Sequence, residues 1–338
     1  MKRLSLPILL LLGLLAGCAT MSKKECETAD WRSLGYSDGA RGIYYSNLEK
    51  RRDSCSKYNI VPDDTAYMNG WGEGIRRYCT PDTGFQVGSA GQPYNNICPP
   101  DVEPAFLSGW QQGVRQYCVP ENALQLGLNG YPYRGVCPPD LAGQFQNIYR
   151  LGVDVRQARA NHQYLEEQEN RTEQALATEN DPGRYRNLLH ELARLRHEER
   201  RSDATVIALE ACMNADWFDA GYRDGEAGNA DRSFEIAGVC RNYGLAGDRP
   251  GYRDGWLQGN GVYCTYDSGL YVGQGDEEYM GVCSGYGHQQ FWRGYEEGRH
   301  MFDEGRYVAH PRPTGQRPER YRQPPVMQQP ERQPGFRE

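Results

Sequence analysis

Glycine and aromatic residues recur along the chain at helical spacing. Tyr67, Trp71, Gly74 and Tyr78 stand at i, i+4, i+7 and i+11, which is one stripe of an α-helix. Gly70 stands four residues before Gly74, so both glycines share one side of that helix. Glycine inside a helix costs about 1 kcal/mol relative to alanine, so its repetition predicts close approach of a neighbouring helix. Glycine-rich turns are the alternative.

The same pattern returns as a decapeptide that ends in cysteine. The runs GWGEGIRRYC, GWQQGVRQYC and GWLQGNGVYC begin at residues 70, 109 and 255. Shorter copies of the form Gly-aromatic-x-(acid or amide)-Gly begin at residues 35, 221, 251 and 294. We expect the repeated positions to build structure; they are Gly70, Trp71, Gly74, Gly109, Trp110, Gly113, Gly255, Trp256 and Gly259.

A different pattern follows each Tyr-Cys pair. Short apolar pairs such as Phe85/Val87 stand among glycines, which predicts a turn and then a short strand or an extended loop. Paired prolines end the segment at residues 99–100 and 138–139. The first half therefore repeats with a period of 39 residues, and repeats of this length stack to bury a shared face.

The middle and the end of the chain differ in composition. Residues 145–211 hold almost no glycine and many charged residues, and ENDPGR at 179–184 interrupts them. Pro182 suits the first turn of a helix, so this segment predicts a helical hairpin. A solvated spacer and a dimerising coiled coil are the alternatives. Pro, Arg and Gln dominate residues 306–338, which predicts a disordered tail.

The N-terminus has the layout of a signal peptide. Two cations precede a mostly apolar run that is too short to span a bilayer. The run ends in Leu-Ala-Gly-Cys, which resembles the lipobox of bacterial lipoproteins. That resemblance implies removal of residues 1–17, a lipid such as palmitate on Cys18 and a tether at 18–25. Ala19, rather than an aspartate, implies the outer membrane, facing the periplasm. An ordinary secretory signal before a free cysteine is the alternative.

Eleven cysteines indicate an oxidising compartment. With Cys18 set aside, the remaining ten fall into pairs separated by 19, 28 or 29 residues, so the simplest bridges close within each repeat. The expected bridges are Cys26–Cys55, Cys79–Cys98, Cys118–Cys137, Cys212–Cys240 and Cys264–Cys283. Zinc is the alternative, but no C-x₂₋₄-C pair occurs, so we expect neither a metal nor a cofactor.

The sequence therefore predicts a mainly α-helical fold with short strands or extended loops. Two related, disulfide-stapled domains of tandem repeats, at 26–144 and 212–305, would be joined by the hairpin. The order Asp-Trp, Gly-Tyr-x-Asp-Gly, Gly-Trp-x-x-Gly-x-x-x-Tyr-Cys and Tyr-x-x-Val-Cys-Pro resembles a family of bacterial lipoproteins built on a domain of unknown function. Cys283-Ser284 departs from the closing Cys-Pro. The resemblance brings no established activity and no catalytic residues.

The acid of the repeated motif is the main candidate for acid–base chemistry. It is found at Asp38, Glu73, Asp224, Asp254 and Glu297. Gln112 and Gln258 fill the same position, and an amide does not exchange a proton near neutral pH. A hydrogen-bonding role fits acid and amide alike, so we expect no catalytic residues. The glycines at 70–74 lack the preceding strand that a phosphate loop requires.

The net charge of −7 argues against nucleic acid as a partner. We predict a non-enzymatic scaffold or interaction protein of the bacterial envelope, held at the membrane by its lipid. An envelope protein or peptidoglycan is the expected partner, and the oligomeric state stays open. One alternative is a glycan-binding module in which tryptophans stack on sugar rings. A hydrolase with two converging carboxylates is a further alternative.

Overall fold

The computed structural model describes residues 21–306, and this part of the chain is helical with no β-strand. The predicted signal peptide, Cys18 and the predicted tail from residue 307 onward lie outside the described residues. No helix within 21–306 is both long enough and apolar enough to cross a membrane. The helices are α1 (Lys23–Thr28), α2 (Trp31–Ala40), α3 (Asn47–Ser56), α4 (Asp64–Tyr78), α5 (Pro81–Ser89), α6 (Glu103–Tyr117), α7 (Pro120–Asn129), α8 (Pro139–Thr178), α9 (Pro182–Asn214), α10 (Trp217–Glu226), α11 (Ser233–Arg241), α12 (Arg249–Tyr263), α13 (Tyr266–Gln274) and α14 (Gly285–Asp303).

The Asp-Trp motif begins both α2 and α10. The Asp30 carboxylate accepts a hydrogen bond from the Ser33 backbone N–H, and Asp216 accepts one from that of Asp219. Each aspartate is therefore an N-cap, an interaction whose loss typically costs about 1 kcal/mol. The tryptophan that follows is the first residue of each helix and is buried.

The predicted strands are wrong: the segment after each Tyr-Cys pair is a second short helix. In α5 the Thr80 side chain accepts a hydrogen bond from the Thr83 backbone N–H, and Pro81 occupies the first turn. Threonine caps and N-terminal prolines favour helix over strand. Phe85 and Val87 therefore lie on a helix, and extended backbone is confined to the stretch that leads into the second cysteine.

Helices pack in pairs through their glycines: α2 with α4, α5 with α6, α7 with α8, α10 with α12, and α13 with α14. A Cβ added at Gly70 would lie 1.9 Å from the Arg32 carbonyl oxygen, and one at Gly74 would lie 2.1 Å from that of Tyr36. The helical placement of the motif is thus confirmed, and glycine is required by backbone contact. An added Cβ would come within 2.5 Å of the partner helix at Gly35, Gly39, Gly70, Gly74, Gly84, Gly88, Gly109, Gly113, Gly127, Gly152, Gly221, Gly225, Gly255, Gly259, Gly269, Gly273, Gly294 and Gly298.

The predicted hairpin is present as α8 and α9, which pack against each other. Asp181 caps α9 by accepting a hydrogen bond from the Arg184 backbone N–H at 2.8 Å. Leu176, Leu189 and Leu192 form a buried cluster near the turn between the two helices. α8 begins at Pro139, so its first turns pack on α7.

The internal contacts divide the chain into two compact units. The first runs up to Tyr117 and includes Arg134–Pro138; the second comprises Cys118–Tyr133 and the described residues from Pro139 onward. The predicted first domain extends further, to residue 144. The difference arises because α7 packs on α8 and is thereby grouped with the hairpin.

Disulfides join the segments that precede the two helices of a pair. The bridges are Cys26–Cys55, Cys79–Cys98, Cys212–Cys240 and Cys264–Cys283. Cys118 and Cys137 are disulfide-bonded as well. The four bridges named first match the pairings that the repeat predicts. In the chain-entropy model, closing a loop of about 20 residues contributes roughly 3 kcal/mol.

Candidate functional site

An aromatic ring in each helix pair clamps the turn after the first helix. The Trp71 indole N–H donates to the Ile43 backbone carbonyl at 2.8 Å. Equivalent bonds of 2.8 to 3.1 Å join Trp110 to Gln92, Tyr149 to Tyr131, Trp256 to Asn229 and Tyr295 to Glu277. The indole N–H of each decapeptide tryptophan is therefore hydrogen-bonded within its own helix pair.

The acidic position of the motif divides into two classes. Asp38 and Asp224, on the first helices of their pairs, are fully buried. Glu73, Asp254 and Glu297, on second helices, are exposed, as are Gln112 and Gln258. Hydrogen bonding is found in both classes, because Glu73 accepts from Arg32 and Glu297 accepts from the Tyr266 hydroxyl, but the burial of the acid differs. The interchangeable acids and amides face solvent, whereas the two buried positions are both aspartate.

Asp38 is the centre of a polar cluster in the first unit. Its carboxylate accepts hydrogen bonds from the Tyr67 hydroxyl at 2.8 Å, from Arg51 Nη2 at 2.8 Å and from Asn47 Nδ2 at 2.9 Å. Arg41 Nη2 donates a fourth bond at 2.7 Å. The cluster ties α2 to α3 and α4, and its four donors saturate the buried charge.

Asp224 is the centre of a matching cluster in the second unit. It accepts hydrogen bonds from the Tyr252 hydroxyl at 2.5 Å, from Asn229 Nδ2 at 2.7 Å and from Arg232 Nη2 at 2.7 Å. The same Arg232 nitrogen also donates to the Ala204 carbonyl at 2.8 Å. The arginine thus links the cluster to α9 of the hairpin.

The other three pairs carry apolar residues at both of these positions. The pairs can be aligned on the glycines at which their two helices touch. In this alignment Val87, Leu126 and Val272 stand at the position of Asp38. Phe106, Phe145 and Phe291 stand at the position of Tyr67. The hydroxyl is therefore present only where its partner helix carries the aspartate. Because the two residues are replaced together, the role of the tyrosine hydroxyl is to donate a hydrogen bond to the buried carboxylate.

Three segments of the chain, 30–111, 101–154 and 216–300, match one family model, described as Protein of unknown function (DUF2799). Together they span more than half of the sequence. The chain belongs to this family. The first and third matches begin at the N-caps of α2 and α10, so the repeat of the DUF2799 domain coincides with the repeat of the helix pairs. No curated protein and no solved structure matches the chain.

The two aspartates of this DUF2799 protein differ electrostatically. Burial raises the pKa of the Asp38 carboxyl, but hydrogen bonds from Arg51, Asn47 and Tyr67 outweigh it and hold the pKa below its ordinary value. At Asp224 burial prevails over the hydrogen bonds from Arg232, Tyr252 and Asn229 and raises the pKa of the carboxyl. Burial and the neighbouring carboxylate also raise the pKa of the Tyr252 phenol.

The arrangement suits a structural role for both DUF2799 clusters. A proton-transferring carboxylate must reach its substrate, whereas each of these is buried and surrounded by donors from its own unit. Sequence reasoning missed the arginine and asparagine partners because their spacing differs between copies. Asn47 and Arg51 follow Asp38 by 9 and 13 residues, whereas the equivalent partners follow Asp224 by 5 and 8. The tyrosine could have been found from the sequence, because the repeats that lack the aspartate also have phenylalanine in place of the tyrosine.

Proposed function

We propose that the protein is a lipid-anchored lipoprotein of the bacterial outer membrane. Its helix pairs would form a non-enzymatic scaffold or interaction module that faces the periplasm. The lipobox-like residues ending at Cys18 support the anchor, and the disulfides suit an oxidising compartment.

One observation carries the scaffold role: the recurring residues of the motif are used inside their own helix pair. The glycines admit the partner helix, the rings clamp the turn, and the buried aspartates join neighbouring helices. The exposed position between the glycines varies among Glu, Gln and Asp. A recurring frame that presents a variable outer face is the pattern expected of an interaction module.

Metabolic labelling with a palmitate analogue tests the anchor. The wild-type chain should incorporate label and fractionate with the outer membrane. Cys18→Ser should abolish labelling and release the chain into the periplasm. Cys26→Ser serves as the matched cysteine control, because Cys26 belongs to a disulfide and should leave labelling intact. Equal labelling of Cys18→Ser and the wild type would contradict the anchor.

Site-specific photocrosslinking in intact cells tests the interaction role. A photoreactive residue at Gln112 or Gln258, on the outer faces of α6 and α12, should give the same adduct in repeated experiments. Comparison with Cys18→Ser separates partners that require membrane attachment from those that do not. The absence of any protein or glycan adduct at every exposed position tried would count against the proposal.

A glycan-binding module is the second candidate, and Trp292 is the observation that favours it. The Trp292 ring is 41% exposed on α14, and the His288 ring is stacked near it with centroids 6.1 Å apart. Trp71, Trp110 and Trp256 are committed to backbone clamps. If this candidate holds, Trp292→Ala should weaken retention on purified peptidoglycan, whereas exposed Tyr58→Ala should not.

A further inference from the structure

Three side chains with metal-binding atoms converge inside the helical hairpin. His162 and Glu166 stand one turn apart on α8, and Glu199 faces them from α9. One ligand atom from each residue lies within 4.8 Å of the other two. The His162 and Glu199 side chains are 20% and 6% exposed, whereas that of Glu166 is 54% exposed. His162 and Glu199 are thus largely buried between the two helices, and Glu166 is the member of the set that solvent reaches.

His162 Nδ1 is buried without a hydrogen-bond partner. Glu199 Oε1 lies 3.5 Å from this nitrogen, but the geometry does not make a hydrogen bond. A buried polar atom in this condition normally has an unseen partner, because leaving it unpaired costs free energy. A ring nitrogen that faces a carboxylate oxygen without a hydrogen bond suits a cation bound to both.

The separation of the two atoms fits such a cation. Zinc lies about 2.0–2.2 Å from imidazole nitrogen and carboxylate oxygen, with tetrahedral angles between its ligands. Two such ligands are therefore roughly 3.4 Å apart, close to the 3.5 Å between His162 Nδ1 and Glu199 Oε1. Glu166 Oε1 lies 3.6 Å from the other ring nitrogen, Nε2, and its carboxylate is the exposed member of the set, whose ligand atoms all lie within 4.8 Å of one another.

The surroundings supply rigidity and a suitable charge. Asn161 donates to the Ser202 hydroxyl at 2.9 Å, which joins α8 to α9 next to His162. Arg196 lies nearly one turn before Glu199 on α9. It donates a hydrogen bond to Glu169 at 3.0 Å, so its charge is paired with a carboxylate outside the proposed site. A neutral imidazole with two carboxylates carries a charge of −2, which a divalent cation balances.

We propose that His162, Glu166 and Glu199 bind a divalent transition-metal ion, with zinc as the best-suited candidate, and that the ion joins the two helices of the hairpin. Imidazole nitrogen favours zinc and its neighbours in the first transition row over magnesium and calcium. Three protein ligands leave a position for water. The expectation that the chain has no metal site rested on cysteine spacing, which does not bear on a site built across two helices. The proposal is independent of the scaffold role.

Zinc titration of the full chain tests the site. The protein is purified without a histidine tag, stripped with chelator and titrated calorimetrically. We expect one saturable site per chain. Removing an outer-shell partner already weakens metal binding roughly 10–100-fold, so losing a ligand in His162→Gln or Glu199→Gln should cost about 100-fold or more. Glu166→Gln should cost less.

The chain contains a matched control in His300 and Glu304. They have the same i, i+4 spacing, with Nε2 and Oε1 3.3 Å apart, and both side chains are exposed. His300→Gln should leave zinc affinity unchanged. Zinc binding that His162→Gln retains at wild-type affinity would overturn the proposal, as would the absence of saturable binding at micromolar zinc.

X-ray absorption of the zinc-loaded wild-type chain gives a readout that does not depend on any variant folding. One imidazole with oxygen ligands is the expected shell. A shell of oxygen alone, or of several imidazoles, would place the ion elsewhere and refute the site.

Discussion

Alanine substitution of two glycines in α4 separates the packing role of glycine from its helix propensity. Gly70 and Gly72 lie two residues apart in the same helix. A Cβ at Gly70 would lie 1.9 Å from the Arg32 carbonyl oxygen of α2, whereas a Cβ at Gly72 would have no atom within 4 Å. The two substitutions therefore add the same atom to the same helix with opposite expected effects.

The magnitudes follow from these distances. Gly72→Ala removes the helix penalty of glycine and should stabilise the first unit by up to about 1 kcal/mol. Gly70→Ala gains the same term, but backbone must move by more than 1 Å to relieve the contact. Overpacking a rigid contact typically costs about 1–3 kcal/mol and occasionally more. Because the opposing atom is backbone, we expect destabilisation of about 3 kcal/mol or more.

Urea denaturation under non-reducing conditions measures the change, and hydrogen exchange of peptides from α2 and α4 assigns it to the first unit. The second unit offers a replicate in α12. A Cβ at Gly259 would lie 2.0 Å from the Tyr222 carbonyl oxygen, and one at Gly261 meets nothing within 4 Å. If Gly70→Ala and Gly72→Ala shifted stability in the same direction, the close-approach explanation would be refuted.

Three further predictions concern the first unit. Tyr67→Phe should cost about 1.5–3 kcal/mol in urea, because a hydrogen bond to a buried charge is lost, whereas exposed Tyr58→Phe should be neutral. Since the pKa of Asp38 is lower in the folded state, its stabilisation should be complete above about pH 4 and be lost as pH falls through the folded value. Acid titration of Asp38→Asn should lack that component; an unchanged acid transition would contradict the assignment. Replacing Cys79 and Cys98 by serine should lower stability by about 3 kcal/mol relative to the oxidised wild type in urea, and this difference should vanish when both proteins are measured under reducing conditions.

The spacing of glycines and rings was sufficient to predict the long motif helices and the hairpin. Helical periodicity is a local property, and Pro182 marks the start of α9 directly. The cysteine spacing likewise gave the bridges, because identical intervals recur in aligned copies. These features were accessible because the signal and its cause lie within one short segment.

The helices α5, α7 and α13 were missed because helices of nine or ten residues that are interrupted by one or two glycines leave no clear period. Phe85 and Val87 fit a strand as well as a helix. The decisive clue was Gly84 and Gly88, which have the i, i+4 spacing of the recognised motifs. The pairing of His162 with Glu199 could not be read from the sequence at all. It depends on the register between α8 and α9, which packing along the whole hairpin determines.

The glycine crossing, the ring clamp and the disulfide of a helix pair all use residues of that pair and the segments leading into it. A gene duplication of about 40 codons would therefore deliver a complete building block, with its own covalent closure. Such an architecture can lengthen or shorten by whole blocks without redesign of the neighbours. The Asp–Tyr, Val–Phe and Leu–Phe versions then record how individual blocks diverged after copying.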